Sequence, residues 1–341
     1  MPYKMKYLIT GITGFAGPHL ANLLIDEGQE VFGLIRGSNG RENDTRDIID
    51  DKHFNQIKWL YADLKDFHSV NKIFKENKFD GVFHLAAQSH PPTSFHNPIN
   101  TFSDNVMGSI NLIECIQLNQ LDCKFMFCST SEVYGNTGKE VGVLNEESRI
   151  MPSNPYGVSK AAIDYYVQER CKNGFLNGFI TRAFSHTGPR RGNKFSISCD
   201  AYQLARIKLG LEKEKVLKVG NLETERVVID VRDCVRAYYL LMQKFKNGEA
   251  YNVGGDSNDV YKMSYFTDKL IEISRLDNVK KEIDPKFYRK IDIQIQIPNT
   301  EKLRNLTGWR PEISLDKTLN DLFNYWIKKL DSGSFNLSQS V

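Results

Sequence analysis

Tyr156 and Lys160 stand four residues apart in Asn154-Pro-Tyr-Gly-Val-Ser-Lys160, and Thr130 and Glu132 stand two apart in Cys128-Ser-Thr-Ser-Glu-Val-Tyr-Gly135. On a helix, a spacing of four brings the phenol and the ammonium to one face. A free phenol titrates at about pH 10, and a cation beside it favours the deprotonated, basic form. The Thr130 hydroxyl can orient an alcohol, and the Glu132 carboxylate can move a second proton. Phenol, ammonium, hydroxyl and carboxylate in one cleft suit redox chemistry at a sugar carbinol. The plain alternatives are an exposed Tyr and Lys on a helix surface and a glutamate capping a strand end.

The elements that must position these groups begin with a short apolar strand, Lys6 to Thr10. It runs into Gly11-Ile-Thr-Gly-Phe-Ala-Gly17 and a helix pattern in which Leu20, Leu23 and Leu24 share one face, with Pro18 in the first turn and Gly28 at the stop. Strand, glycines and helix in that order form a dinucleotide-binding turn that admits a pyrophosphate at the helix start. The next strand, Glu30 to Arg36, ends in a cation where an NAD site carries a carboxylate. Arg36 therefore favours NADP, with NAD left open. Residues 37–51 form a polar loop whose length hints at function or subunit contact. Asp63, at a later strand end, can bond an adenine amino group. Gly81 to Ala87 reads as a buried strand closing on small residues, Leu85, Ala86 and Ala87, beside a cofactor. Lys124 to Cys128 is another strand, delivering Thr130 and Glu132 at its carboxyl end, where open parallel sheets bind ligands. Helix Ile99–Leu118 lies between them.

Repeated strand–helix alternation through residue 184 predicts an α/β, Rossmann-type doubly wound parallel sheet. Residues 185–331 change pattern and read as a smaller C-terminal α/β substrate-binding lobe, with 332–341 a frayed tail. At 341 residues, 40% hydrophobic and 26% charged, the chain suits a large domain or two fused ones. A net charge of +3 without a polybasic block argues against nucleic acid or a membrane surface as partner. The six cysteines lack metal-ligand spacing and predict buried free thiols with no metal site. No apolar run reaches roughly 18 residues, and no signal segment opens the chain, so a cytoplasmic protein is expected.

The glycine turn, Tyr156-x-x-x-Lys160 and Thr130-Ser-Glu132 together resemble the extended short-chain dehydrogenase/reductases. Within that family the chain is most similar to the sugar-nucleotide 4,6-dehydratases, in particular the GDP-mannose 4,6-dehydratases. Pro152-Ser-Asn-Pro-Tyr-Gly157, Gly188-Pro-Arg-Arg-Gly192, Gly220-Asn-Leu with Arg226, and Gly308-Trp-Arg-Pro311 extend the likeness to about residue 330. The chain departs from the dehydratases at Ser185-His-Thr-Gly-Pro189, where they resemble Asn-His-Glu-Ser-Pro. It departs again at Phe195-Ser-Ile-Ser-Cys199, which lacks their basic residues, and at Arg226-Val-Val228, where they have Arg-Asp-Trp. Residues 201–211 look more like a GDP-4-keto-6-deoxymannose reductase.

The resemblance implies a GDP-sugar substrate, with GDP-D-glycero-D-manno-heptose, a precursor for bacterial surface polysaccharides, as an alternative to GDP-mannose. It implies oxidation at C4 by Tyr156 with Lys160, oriented by Thr130, then elimination of water across C5 and C6 by Glu132, and return of the hydride to C6. The rival implications are a GDP-4-keto-6-deoxysugar reductase, a C4 dehydrogenase or epimerase, or decarboxylation, for which a similar Thr-Ser-Glu is known. Carried over residue by residue, the cofactor set is Gly11, Thr13, Gly14, Phe15, Gly17, Arg36, Asp63, Leu64, Leu85, Ala86, Ala87, Tyr156 and Lys160. The substrate set is Ser89, Thr130, Ser131, Ser185, Arg191, Lys194, Arg226 and Arg289. His90 and His186 lie in cleft loops and read as structural. A homodimer or homotetramer is implied, through helices near 99–118 and 158–173 and the 37–51 loop.

Overall fold

The computed structural model describes residues 3–37, 40–288 and 292–333. Seven parallel strands form the main sheet: β1 (Lys6–Thr10), β2 (Glu30–Ile35), β3 (Lys58–Tyr61), β4 (Gly81–His84), β5 (Lys124–Thr130), β6 (Asn177–Ala183) and β7 (Ala250–Val253). Their spatial order is β7-β6-β5-β4-β1-β2-β3, so the order reverses between β1 and β4 and opens a crevice at their carboxyl ends. Both faces are buried, as the near-continuous apolar runs of its strands require. Tyr7 and Ile9 of β1 pack with Leu20, Leu24, Tyr238 and Tyr251 on one side. Leu8, on the opposite pleat, packs with Phe74, Val82, Leu112 and Phe125 on the other.

Helices α1 (Ala16–Asp26), α2 (Phe67–Glu76), α3 (Gly108–Asn119) and α4 (Pro155–Lys172) connect β1 to β2, β3 to β4, β4 to β5 and β5 to β6. The single helix expected over 99–118 is instead a short helix, Pro98–Phe102, a π-helical turn, Ser103–Met107, and then α3. The turn buries Asn105, whose side chain bonds the backbone nitrogen and carbonyl of Gln88 and the hydroxyl of Ser159 on α4.

The division at residue 184 is not followed by the sheet. After leaving it, the chain forms α5 (Ser196–Lys208) and α6 (Val231–Lys244), then returns as β7, pairing Ala250 with Ile180. Helix α6 joins the core on the β1 side, so residues 231–253 pack with the first layer. The lobe core is built from α5, α7 (Met263–Ser274) and α8 (Leu315–Asp331) around Tyr202, Phe266, Leu322 and Trp326. A two-residue pairing joins Glu225–Arg226 to Ile295 and Gln296, at the end of the strand expected over 291–297. Residue 291 and Arg289 lie outside the described residues.

One buried carboxyl in the lobe gives a pH-dependent stability. Asp200 on α5 is 4% exposed, and burial pushes it up to about 7, opposed by the Thr267 hydroxyl that donates to it at 2.7 Å. The folded state then holds a proton that the unfolded chain releases near pH 4. The group's contribution is therefore full at low pH and is lost as pH rises through about 7. Asp200→Asn keeps an acceptor for Thr267 and removes the charge. Its Tm should exceed wild type by roughly 5 °C at pH 8 and match it near pH 4; a gap independent of pH would contradict this account.

Candidate functional site

The glycine turn joins β1 to α1, with Gly14 N–H donating to Gly11 O at 2.9 Å. A Cβ on Gly17 would stand 2.5 Å from Gly11 O and Ile12 Cα, so only glycine lets α1 start this close to the strand. At Gly14 a Cβ would meet only Gly11 O, at 3.0 Å, and that residue is exposed. The turn thus packs tightly inward and leaves an outer backbone face, which fits a dinucleotide pyrophosphate at the start of α1. Thr13 and Phe15 flank it, and Leu85–Ala87 leave β4 directly opposite, with Leu85 N–H bonded to Thr10 O at 3.1 Å. Arg36 is exposed at the end of β2, and Asp63, past β3, accepts from Lys65 N–H at 3.0 Å.

Thr130 is the last residue of β5 and caps the 3-10 turn Ser131–Tyr134, accepting from Glu132 N–H at 3.3 Å. The turn closes at Gly135, with φ of +53°, where a Cβ would lie 2.0 Å from Met151 O. This contact, with Met151 N–H on Val133 O at 2.9 Å, fastens the Glu132 turn to the approach of α4. Pro155 then begins α4 with Asn154 as its cap, placing Tyr156 in the first turn and Lys160 in the second. Glu132 Oε2 accepts from Asn154 Nδ2 at 2.7 Å. The Thr130 side chain is close enough to the Tyr156 hydroxyl to lower its proton affinity. Thr130, Glu132 and Tyr156 therefore meet, Lys160 follows one turn along α4, and all four are buried.

Burial pushes the Tyr156 phenol well above its ordinary range, assisted by the Cys128 thiol and the Glu132 carboxylate, while the Thr130 hydrogen bond and the Arg191 guanidinium pull it down. Burial also pushes the Lys160 ammonium down to about 8. Desolvation thus outweighs the simple pairing expected from their spacing. The Lys160 Nζ lies 4.5 Å from the Phe127 ring centre and has no hydrogen bond or salt bridge among the described residues. Because the charged form exists below about pH 8, kcat/KM should fall as pH rises through that value. Lys160→Arg, charged at all these pH values, should be slower and lose that limb. A limb that persists in the variant would assign it to another group.

Residues 185–195 cover the cleft. Arg191 lies 4.8 Å from the Phe15 ring centre and 3.5 Å from that of Phe195, a cation held between two rings. His186 stacks on Phe15 at 5.7 Å and contacts the Phe184 carbonyl through Nδ1. His90 Nδ1 meets Thr93 Oγ1 at 2.8 Å, and its ring meets Phe195 edge to face. Lys194 and Ser89 are exposed; Ser131 is buried, and Ser185 is half-buried. Arg226 is turned into the lobe, donating to the carbonyls of Ile293 at 2.6 Å, Glu225 at 2.8 Å and Gln294 at 3.2 Å.

Sequence reasoning passed over Arg190. With φ of +74°, it donates to Gly14 O and Thr13 O, both at 2.9 Å, and to the Asp47 carboxylate. Asp47 also accepts from Tyr325 of α8 at 2.8 Å, so the long 37–51 segment is tied to the chain's own lobe. Nothing distinguishes Arg190 from Arg191 in the sequence except the backbone conformation that sends them opposite ways.

Known proteins place this geometry. The sequence description of the GDP-mannose 4,6 dehydratase family matches residues 8–322. The chain belongs to that family. Relatives within it and beside it include GDP-6-deoxy-D-mannose reductase of Pseudomonas aeruginosa, 31% identical over 94% of this chain and 97% of that protein. GDP-mannose 4,6 dehydratase 1 of Arabidopsis thaliana is 30% identical over 91% of this chain and 86% of that protein. The solved structure of RMD from Pseudomonas aeruginosa complexed with NADPH superposes with a TM-score of 0.79 at 26% identity, covering 96% of this chain and all of that one. The protein is thus an enzyme of the GDP-mannose 4,6 dehydratase family with the short-chain dehydrogenase/reductase fold. Among the described residues no helix is long and apolar enough to cross a membrane, and no group of three metal-binding side chains is assembled.

Proposed function

We propose that the protein is an NADP-dependent GDP-sugar 4,6-dehydratase, acting on GDP-mannose or GDP-D-glycero-D-manno-heptose in the cytoplasm. The observation that carries this reading is the Glu132 carboxylate, held in the same buried cluster as Thr130 and Tyr156. A bound nicotinamide dinucleotide supplies hydride acceptance from C4 and hydride return at C6. The glycine turn and the start of α1 would hold its pyrophosphate, Arg36 a 2′-phosphate, and Lys160 a ribose hydroxyl.

Thr130 orients the C4 hydroxyl, and Tyr156 takes its proton as the C4–H bond breaks, acting in the phenolate form that charged Lys160 and a bound nicotinamide cation would favour against burial. The resulting ketone makes the C5 proton acidic, and Glu132 removes it. Glu132 then gives that proton to the C6 hydroxyl, which leaves as water when the electrons form the C5–C6 double bond. C5 finally regains a proton as C6 is reduced, so the cofactor is unchanged overall. Arg191 supports binding of the charged nucleotide from the 185–195 cover, and Lys194, Ser89, Ser131 and Ser185 complete the proposed sugar side.

A second reading is reduction of a GDP-4-keto-6-deoxysugar, favoured by the 31% identical reductase relative. The two readings separate when the protein, with its bound nucleotide, is given GDP-mannose or GDP-manno-heptose and the products are weighed. Loss of one water with no net NADPH change is expected; consumption of NADPH with a keto sugar, and no water loss from either compound, would establish the reductase. Pairing of two copies is proposed along α3, α4 and the preceding short helix, where Ile99, Phe102, Met107, Val158 and Tyr165 expose apolar surface.

A further inference from the structure

We infer that Asn154 is the positioning residue of Glu132, capping the helix that carries Tyr156 with one arm and aiming the carboxylate with the other. Its Oδ1 accepts from Gly157 N–H at 2.8 Å, and its Nδ2 donates to Glu132 Oε2 at 2.7 Å. The side chain is 6% exposed, so neither arm is shared with bulk solvent.

Capping alone does not require asparagine. Serine and aspartate cap as well, because a cap needs only an oxygen acceptor. An ionised aspartate has no N–H or O–H to offer a carboxylate, and a serine hydroxyl is too short to reproduce both arms. The amide is the group that satisfies the helix and the carboxylate together. The backbone repeats the connection: a Cβ on Gly157 would stand 2.9 Å from Glu132 O, so the first turn of α4 rides directly on the Glu132 turn. Along the chain, only Pro155 separates Asn154 from Tyr156, so the bond to Asn154 ties the carboxylate closely to the phenol. Tyr156 is acted on by Glu132, Cys128 of β5 and Arg191 of the covering loop, and Lys160 by Cys128 and Asp164.

This inference rests on the proposed role of Glu132 in elimination, and its test separates the two. Asn154→Asp and Asn154→Ser are compared with wild type, each as the full chain with bound cofactor, for Tm, single-turnover oxidation at C4, and exchange of the C5 proton with D2O. Both variants should keep their Tm within a few degrees and C4 oxidation within about threefold, while C5 exchange falls by at least about tenfold, as misaimed proton transfer does. In Asn154→Asp the acid limb of C5 exchange should also move upward by about one pH unit or more, because two carboxylates in contact share one proton. If the wild type exchanges C5 and both variants match it in rate and pH profile, Asn154 is only a cap and the inference is overturned. If the wild type shows no C5 exchange, the dehydratase reading itself is overturned, and the inference with it.

Discussion

Replacing Glu132 by glutamine should stop the loss of water while sparing the oxidation that precedes it. The amide occupies the same volume and still offers an oxygen to Asn154 Nδ2, so the 3-10 turn and the cap of α4 stay as they are. What it cannot do is take the C5 proton. Removing a general acid–base group costs typically 10²–10⁴-fold, and product formation should fall by about that factor. In the proposed mechanism C4 oxidation depends on Thr130, Tyr156 and Lys160, none of which is altered. A single turnover should therefore leave the nicotinamide reduced and the sugar oxidised at C4, with C6 still bearing its hydroxyl. Stopped-flow absorbance and mass analysis of the quenched sugar read both outcomes. Dehydrated product at the wild-type rate would remove Glu132 from the mechanism.

Tyr156→Phe should instead stop both steps. Its hydroxyl lies beside the Thr130 side chain and one helical turn from Lys160. Without it the C4 proton has no acceptor, and the loss should again be about 10²–10⁴-fold, now with no reduction of the nicotinamide. Stability should change by only about 1 kcal/mol, since one buried hydrogen bond is lost and the ring stays. The two variants are thus told apart by the colour of the cofactor: reduced in Glu132→Gln, unchanged in Tyr156→Phe. Oxidation surviving in Tyr156→Phe would place the base elsewhere.

The proposed catalytic groups stand out in the sequence because each lies in a short local pattern. Thr130 and Glu132 end an apolar strand, and Tyr156 and Lys160 share the first two turns of a capped helix, so distance along the chain foretells distance in space. The same holds for the glycine turn and for β1, β2, β4 and β5, whose apolar runs announce buried parallel strands. What depends on contacts between distant residues was not legible. β7 looks like any short strand, and only its pairing of Ala250 with Ile180 puts it in the main sheet. The Asn154–Glu132 bond spans 22 positions and joins two motifs read separately. Arg190 and Arg191 are identical neighbours, yet one clamps the glycine turn and the other lies between Phe15 and Phe195. Arg226 looked like a phosphate ligand by type, but its guanidinium is engaged with lobe carbonyls. The strength of Tyr156 and Lys160 as a pair was also misjudged from spacing, because burial acts on both groups and cannot be read from two letters.

The central claim is that a hydride taken from C4 of a GDP-sugar comes back at C6 of the same molecule. GDP-mannose and GDP-manno-heptose carrying deuterium at C4 test it directly, with the product analysed by NMR and mass spectrometry. The dehydratase account predicts that the deuterium is retained and appears at C6 of a 4-keto-6-deoxy product, with one solvent hydrogen at C5. Deuterium delivered to the pyridine nucleotide pool, or a sugar that keeps its C6 hydroxyl, would contradict it.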